Sequence, residues 1–175
     1  MSDDGGIHYE NPFATPAEAK TAGRSLRGRL TNPVTIWTAR GPDGDVGLTM
    51  SSVLVADGEP PQILGLMSRT TNLFEVLAET KRFVLHVLER KDWKLADIFA
   101  GLRPNPGGPF EGLSPEASDY GPILPSPVTA FCTVTAIESV GYNELIRAAI
   151  DRLDAGALTD PLIHFRGHYQ ALTPK

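Results

Sequence analysis

Cysteine, positive charge and long apolar runs are all scarce in this sequence. The single cysteine among 175 residues, Cys132, excludes a disulfide within the chain. Because disulfides persist in oxidising compartments, we expect a cytoplasmic protein. No apolar run is long enough to span a membrane, and the opening residues MSDDGGIHYENPF lack the basic and apolar regions of a secretory signal. With 16 Lys and Arg against 21 Asp and Glu, the net charge of −5 argues against a nucleic-acid-binding protein.

The common catalytic motifs are also absent. The sequence contains no Gly-x-Gly-x-x-Gly, no phosphate-binding Gly-x-x-x-x-Gly-Lys, no Cys-x-x-Cys, no His-Glu-x-x-His and no Gly-x-Ser-x-Gly. His164 and His168 are spaced for a metal only on a helix, since in a strand their Cα atoms would lie about 13 Å apart. Cys132 in a predicted strand indicates a structural thiol, and His86 is predicted on the less buried face of its strand. We therefore assign no metal ligand and no catalytic acid, base or nucleophile.

The residues that are present are typical of a strand-rich domain with many turns. Hydrophobic residues make up 41% of the chain, and 17 Gly with 15 Pro favour turns over a helical bundle. Short apolar and β-branched runs predict strands at 34–38, 46–55, 62–67, 83–88, 130–137, 145–150 and 163–169. Helical patterns occur at 15–30, 71–80 and 92–99. This order predicts a mainly β fold with peripheral helices, a closed barrel rather than a doubly wound sheet.

The sequence predicts one domain with a loose start and one long loop. Residues 1–14 are polar, and we expect a flexible segment ahead of a single domain at 15–175. The domain begins with a helix, because Thr15 and Glu18 match a capping box. Residues 102–127 contain seven prolines, which exclude regular structure and predict a long surface or active-site loop.

Two hydroxyl-rich segments are the best candidates for a binding site. The first places three hydroxyls on an otherwise apolar strand: Thr49, Ser51 and Ser52. The second lies just before a predicted helix and combines hydroxyls with an arginine: Ser68, Arg69, Thr70 and Thr71. Backbone N–H groups at a helix start, with a guanidinium, favour a phosphate, and Lys81 and Arg82 after the helix would add charge. The alternative is that Thr70 or Thr71 caps the helix and the other polar residues are solvated.

A family resemblance depends on the order and spacing of several runs rather than on any single motif. These runs are PVTIWTAR from Pro33, DG from Asp43, GLTMSS from Gly47, PP from Pro60, SRT from Ser68, FVLHVL from Phe83, IFAG from Ile98, GPIL from Gly121, FCTV from Phe131 and PLIHFRGHY from Pro161. In them the chain resembles the short-chain flavin reductase family. The likeness covers roughly residues 25 to 172.

The resemblance implies a fold, a reaction and a set of contacts. The fold is an FMN-binding split β-barrel, assembled as a homodimer with the flavin near the subunit interface. Members use NADH or NADPH to reduce FMN or FAD, and often supply reduced flavin to a partner monooxygenase. By position, the contacts to the flavin ring or ribityl chain would be Thr49, Met50, Ser51 and Ser52. The contacts to the phosphate would be Ser68, Arg69, Thr70 and Thr71, supported by Lys81 or Arg82.

One departure from the family pattern leaves the electron donor open. Many members carry Gly-Asp-His or Gly-Thr-His at a position associated with nicotinamide binding, where this chain has Gly141, Tyr142 and Asn143. Asparagine carries no charge and cannot pair with a phosphate as a histidinium can. Tyr142 would either stack on a ligand ring or pack on its neighbours within a strand. His164 would supply a hydrogen-bond donor that compensates for the missing histidine.

Three hypotheses therefore remain at the level of sequence. The first is an NAD(P)H-dependent flavin reductase, whose site needs no acid or base because hydride passes between two stacked rings. The second is an FMN-binding protein of the same fold that does not use nicotinamide: an electron carrier, a flavin store, or a redox enzyme with another donor such as a deazaflavin. The third is a degenerate pocket in a structural dimer.

Overall fold

The computed structural model describes residues 22–172 of the chain. Its α-helices are α1 (Ala22–Arg27), α2 (Asn72–Thr80) and α3 (Trp93–Phe99). Its strands are β1 (Asn32–Pro33), β2 (Thr35–Gly41), β3 (Gly44–Met50), β4 (Val53–Ala56), β5 (Gln62–Met67), β6 (Arg82–Val87), β7 (Val128–Val140), β8 (Asn143–Ala155), β9 (Leu162–Phe165) and β10 (His168–Ala171). The mainly β fold with peripheral helices predicted from the sequence is confirmed.

One antiparallel sheet of seven strands contains most of the fold, in the order β3-β2-β6-β7-β8-β5-β4. Its two edge strands, β3 and β4, are consecutive in the chain and are joined by Ser51 and Ser52. The sheet therefore curls until its edges approach. The Leu66 N–H donates to the Ser52 carbonyl at 3.0 Å, which extends the pairing of β4 with β5 by one residue. A second sheet, in the order β1-β9-β10, lies beside it, with the Leu162 N–H donating to the Leu88 carbonyl at 2.9 Å.

Trp37 fills the interior of the curled sheet. It is fully buried and stacks on Phe83, with the ring centroids 4.3 Å apart. Gly65 on β5 faces this indole, and a Cβ atom there would lie 2.4 Å from the ring, so β5 approaches β2 this closely only because residue 65 is glycine. A second apolar cluster, beneath α3, consists of Val34, Ile36, Leu88, Ala96, Phe99, Leu124 and Leu162. It fixes α3 and the long loop against the barrel.

The proline-rich segment 102–127 contains no helix or strand, as predicted. It is nevertheless held closely to the barrel. Thr38 Oγ1 donates to the Pro122 carbonyl at 2.6 Å, and Leu124 is buried in the cluster beneath α3. Regular structure is excluded by the prolines, and side-chain contacts order the segment instead.

The prediction of one continuous strand at 46–55 is wrong. The pairing of β3 with β2 ends where Met50 lies opposite Thr35, and β4 begins at Val53 on the other edge of the sheet. The chain changes partners between these strands, so its ladder is interrupted at Ser51 and Ser52. Alternation of apolar and polar residues carries no signal for such a change, because both strands keep the same period.

Two predictions about histidine are also wrong. His86 is fully buried rather than on a less buried face, because the long loop covers β6 and the Leu124 N–H donates to His86 Nε2 at 3.0 Å. His164 and His168 do not share a strand. The chain turns at 166–167, and the two residues lie on the paired strands β9 and β10.

The N-terminal helix ends at Arg27 rather than near Leu30. Its predicted start at Thr15 and the flexible segment predicted at 1–14 lie outside the described residues. Among residues 22–172 no helix combines the length and the apolar character that a membrane crossing requires. The same stretch contains no group of three or more His, Cys, Asp and Glu side chains placed to hold a metal ion.

Candidate functional site

A cavity of about 400 Å³ opens where the curled sheet closes. Its walls come from α1, from the ends of β3 and β5, from the start of β8 and from the β9–β10 turn. It brings together seven of the residues predicted from the sequence as cofactor or donor contacts: Thr49, Met50, Ser51, Ser52, Ser68, Asn143 and His164. These residues come from four separate segments of the chain, so their convergence is a property of the fold.

The sheet wall of the cavity carries hydroxyls at the break between β3 and β4. Thr49 Oγ1 donates to the Ala96 carbonyl at 2.7 Å, so this hydroxyl already anchors α3. The side chains of Ser51 and Ser52 make no hydrogen bond to any residue within 22–172. The two hydroxyls are therefore open to a ligand, whereas the Ser52 carbonyl already accepts the Leu66 N–H.

The turn before α2 is satisfied largely within itself. Thr71 is the N-cap, accepting a hydrogen bond from the Phe74 N–H at 3.2 Å and donating to the Ser68 carbonyl at 3.0 Å. Ser68 Oγ and Thr70 Oγ1 lie 2.9 Å apart. The capping role considered as an alternative for Thr71 is confirmed. Of this turn only Ser68 lines the cavity.

Arg69 is engaged by a carboxylate. Its Nε donates to Glu144 Oε1 at 3.0 Å, its Nη2 donates to the same oxygen, and Ser139 Oγ donates to Glu144 Oε2 at 3.0 Å. Glu144 is only 5% exposed, and the hydrogen bond from Arg69 lowers the pKa of Glu144 against the opposing effect of burial. The ion pair neutralises much of the charge that Arg69 would offer a phosphate, and Arg69 does not line the cavity.

The structure does not bring Lys81 and Arg82 to the other candidates. Lys81 is the C-cap of α2, at the opposite end of a nine-residue helix from Thr71, which at about 1.5 Å per residue separates the two ends by roughly 14 Å. Arg82 lies over the ring of Tyr120, with its guanidinium carbon 5.4 Å from the centroid. Neither residue lines the cavity.

The two residues predicted to contact the nicotinamide, Asn143 and His164, lie on separate elements and both line the cavity. Tyr142, by contrast, is 99% exposed at the tip of the β7–β8 hairpin, so the prediction that it packs within a strand is wrong. His164 contacts Tyr169 edge to face, with ring centroids 6.1 Å apart. Burial, and then the positive charges of Arg27 and His168, lower the pKa of His164, so the ring is neutral at pH 7.

The cavity wall formed by α1 was not among the sites predicted from the sequence. Arg24 and Arg27 line the cavity, together with Asn32 on β1 and Gly167 in the β9–β10 turn. The spacing of the two arginines, three residues apart on a helix, places them on one face. That spacing was visible in the sequence, but nothing local indicates that this face meets the hydroxyl segments.

The comparisons with known proteins agree with this geometry. The family model described as "Flavin reductase like domain" matches residues 27–173. The chain belongs to this family. Among curated family relatives, FMN reductase (NADH) SmoA of Agrobacterium fabrum is 27% identical over 147 residues, 80% of this chain and 82% of that protein. The reductase subunit HsaB of a flavin-dependent monooxygenase of Mycobacterium tuberculosis is 24% identical, covering 87% of this chain and 82% of the subunit.

Solved structures of flavin reductases share the fold. A flavin reductase domain protein from Arthrobacter sp. FB24 superposes with a TM-score of 0.78 at 24% identity, covering 87% of this chain and 95% of that chain. The split β-barrel expected from the resemblance is thereby confirmed.

The cavity of this flavin reductase family member fits a flavin nucleotide. Its volume of about 400 Å³ lies within the range of small-molecule sites. Leu48, Leu66 and Met67 offer apolar surface for a ring system, and the free hydroxyls of Ser51 and Ser52 can pair with polar ring-edge or ribityl atoms. No acidic residue lines the cavity in the described part of the chain, which suits a ligand that carries phosphate.

Proposed function

We propose that this chain is an NADH-dependent flavin reductase that transfers hydride to FMN. The observation that carries the proposal is the cavity, in which serine hydroxyls, apolar side chains and arginines meet, and which no Asp or Glu from residues 22–172 lines. The relative SmoA is named an FMN reductase (NADH), and the family match covers residues 27–173.

The protein's part in this reaction is to bind, orient and exclude water. A bound flavin supplies the redox chemistry, accepting a hydride from the dihydronicotinamide. Ser51 and Ser52 would hold its polar edge or ribityl chain, and Leu48 and Leu66 would shield the ring from solvent. Asn143 and His164, facing the cavity from β8 and β9, would orient the nicotinamide through neutral hydrogen bonds. No residue of the cavity is required to transfer a proton.

A partner oxygenase and a second copy of the chain belong to the same proposal. The relative HsaB is named the reductase subunit of a flavin-dependent monooxygenase, which supports release of reduced flavin to such an enzyme. Leu54 is 72% exposed and Leu66 37% exposed on the neighbouring strands β4 and β5. Because Leu66 also lines the cavity, a second copy covering this apolar face as a homodimer would lie at the cavity's edge. A cytoplasmic location stays a prediction from the sequence, and the buried free thiol of Cys132 is compatible with it.

An FMN-binding protein that does not use nicotinamide is the second candidate, favoured by Asn143 at the position where many family members have histidine. The test is anaerobic addition of NADH, and separately NADPH, to the protein with FMN in excess. The proposal expects the flavin absorbance to bleach at catalytic protein concentration. A flavin spectrum that shifts on binding but stays oxidised would support the second candidate, and no flavin binding would support a degenerate pocket.

The variant Asn143→His tests whether residue 143 helps to bind the nicotinamide. Restoring the family's histidine adds a second imidazole to the cavity wall, and we expect kcat/KM for NADH to rise about fivefold, the effect of roughly 1 kcal/mol of added binding. The affinity for FMN should not change. Tyr142→His is the matched control, because its side chain lies on the exposed hairpin tip. An unchanged or lower rate in Asn143→His would mean that this chain orients its donor without that position.

A further inference from the structure

Asp97 is a fully buried carboxylate in α3. A buried carboxylate is costly unless its oxygens are hydrogen-bonded. Asp97 accepts a hydrogen bond from the hydroxyl of Tyr169 on β10. Burial, and then the charge and the hydrogen bond of Asp97, raise the pKa of Tyr169, so the hydroxyl stays protonated and remains a donor. This hydrogen bond therefore tethers the Tyr169 ring to α3.

Tyr169 in turn contacts His164, which lines the cavity. The two residues lie directly opposite each other on the antiparallel strands β10 and β9, so their side chains share one face of the second sheet. Their rings meet edge to face, with 6.1 Å between the centroids and an interplanar angle of 71°, an arrangement that aromatic pairs favour. Tyr169 itself does not line the cavity. It supports the cavity wall from behind.

Packing, rather than hydrogen bonding, orients the His164 ring. Its nitrogens make no hydrogen bond to any residue within 22–172, so they are left for a ligand. An imidazole without such an anchor can turn about its side-chain torsions unless its neighbours restrict it. Since the Tyr169 ring is fixed by Asp97, it presents a rigid surface that limits this rotation.

The same helix also supports the sheet wall of the cavity. Thr49 Oγ1 donates to the carbonyl of Ala96, the residue before Asp97, at 2.7 Å. Thr49 lines the cavity together with Ser51 and Ser52. Two adjacent residues of α3 thus hold the hydroxyl-bearing wall and, through Tyr169, the wall that carries His164.

A second tyrosine–aspartate pair provides an internal contrast. Tyr120 donates from its hydroxyl to Asp151 Oδ2 at 3.1 Å, and its ring meets Phe131 edge to face with the centroids 5.6 Å apart. Asp151 is exposed, and neither member of this pair lines the cavity. The chemistry is the same as in the pair of Tyr169 with Asp97, but it has no connection to the binding space.

We propose that Tyr169, tethered by Asp97, is a positioning residue that holds the His164 ring in the orientation needed to bind the nicotinamide. The inference rests on the proposed function for the identity of that ligand. A neutral imidazole pairs with the carboxamide of a nicotinamide only when the ring is correctly aimed, because hydrogen bonds weaken steeply with misalignment. Tyr169 therefore acts through His164 and touches neither nucleotide.

The kinetic test uses the full chain and four single variants: Tyr169→Leu, Tyr169→Phe, Asp97→Asn and, as the matched control, Tyr120→Leu. Loss of the aromatic pair in Tyr169→Leu should raise the KM for NADH about fivefold. Tyr169→Phe keeps the ring but loses the tether and should raise it about twofold. Asp97→Asn retains an oxygen that accepts from Tyr169, so its effect should be smaller than that of Tyr169→Phe. Tyr120→Leu should match the unmodified protein, and the affinity for FMN, measured by fluorescence quenching, should be unchanged in all four.

A double variant separates positioning from a general structural role. If Tyr169 acts through His164, adding Tyr169→Leu to His164→Gln should raise the KM for NADH no further. Additive losses, an equal loss of FMN affinity, or a KM matching that of Tyr120→Leu would each overturn the inference. Circular dichroism checks that the variants fold, and if Tyr169→Leu does not, Tyr169→Phe is used in the same cycle.

A measurement on the ligand-free protein gives a readout that needs no turnover. The ring protons of His164 are identified in a ¹H–¹³C correlation NMR spectrum by their loss in His164→Gln. Removing the neighbouring ring in Tyr169→Leu should move these resonances, whereas Tyr120→Leu should leave them in place. If they do not move, the inference fails while the proposed function stands. If the unmodified protein does not oxidise NADH, the proposed function fails and the inference with it, so the two failures are distinguished.

Discussion

His86 and His164 are both withdrawn from water, yet their surroundings differ in what they leave unpaired. His86, on β6, is fully buried; its Nδ1 lies 3.0 Å from the Ile36 carbonyl, and its Nε2 accepts the Leu124 N–H at 3.0 Å. Since the carbonyl can only accept and the N–H can only donate, the ring is held as the neutral Nδ1–H tautomer. His164, on β9, lines the cavity and makes no hydrogen bond to any residue within 22–172.

Whether a side chain's hydrogen-bonding groups are satisfied distinguishes a structural residue from a ligand-binding one more clearly than its burial does. Burial lowers the pKa of both rings, to about 4 for His86. A buried polar group with every partner in place connects elements of the fold, here β2, β6 and the long loop. A half-buried one without partners is free to exchange water for a ligand. The three predictions below test this distinction, in order of decreasing effect.

The largest effect is expected from His86→Leu. The substitution removes the ring's hydrogen bond to the Ile36 carbonyl and leaves the Leu124 N–H without its partner in the interior, at a cost of about 3 kcal/mol in the free energy of unfolding. Urea denaturation followed by tryptophan fluorescence measures it. His164→Leu is the matched control, and equal losses in the two variants would remove the contrast between the two histidines.

The next effect is a pH dependence of stability that His86 should dominate between pH 7 and 5. Its folded pKa of about 4 lies below the unfolded value of about 6.5, so in this window the unfolded chain binds the extra proton. Stability from this group is fully present above the unfolded pKa and is lost as the pH falls, by about 2 kcal/mol at pH 5. His86→Gln should flatten the curve. A slope that persists in this variant would assign the titration elsewhere, with His164 the first group to examine.

The smallest effect on stability is expected from His164→Gln. Because no hydrogen bond to the described protein is lost, the free energy of unfolding should change by less than about 0.5 kcal/mol. The KM for NADH should rise instead, if the ring orients the donor as proposed. A large loss of stability with an unchanged KM would make His164 a structural residue like His86.

Local chemistry was sufficient to predict part of this molecule. The cap at Thr71, the helix that follows it and the strand β6 are all encoded within a few residues of where they form. The burial of His86 was not predictable in this way, because it depends on a loop almost forty residues further along the chain. The cavity wall at Arg24 and Arg27 escaped prediction for the same reason: its position relative to Ser51 and Ser52 exists only after the barrel closes.

The change of partners at Ser51 and Ser52 has a consequence for how such a site can arise. Between β3 and β4 the chain leaves one edge of the sheet and joins the other, so the regular ladder is interrupted at Ser51 and Ser52, although the Ser52 carbonyl still accepts the Leu66 N–H. Backbone polar groups outside a regular ladder need other partners. The place for a polar ligand is therefore set by the topology of the sheet and does not depend on which side chains occupy it. Side chains at that interval decide which ligand is held, but the position of the interval follows from the order of the strands.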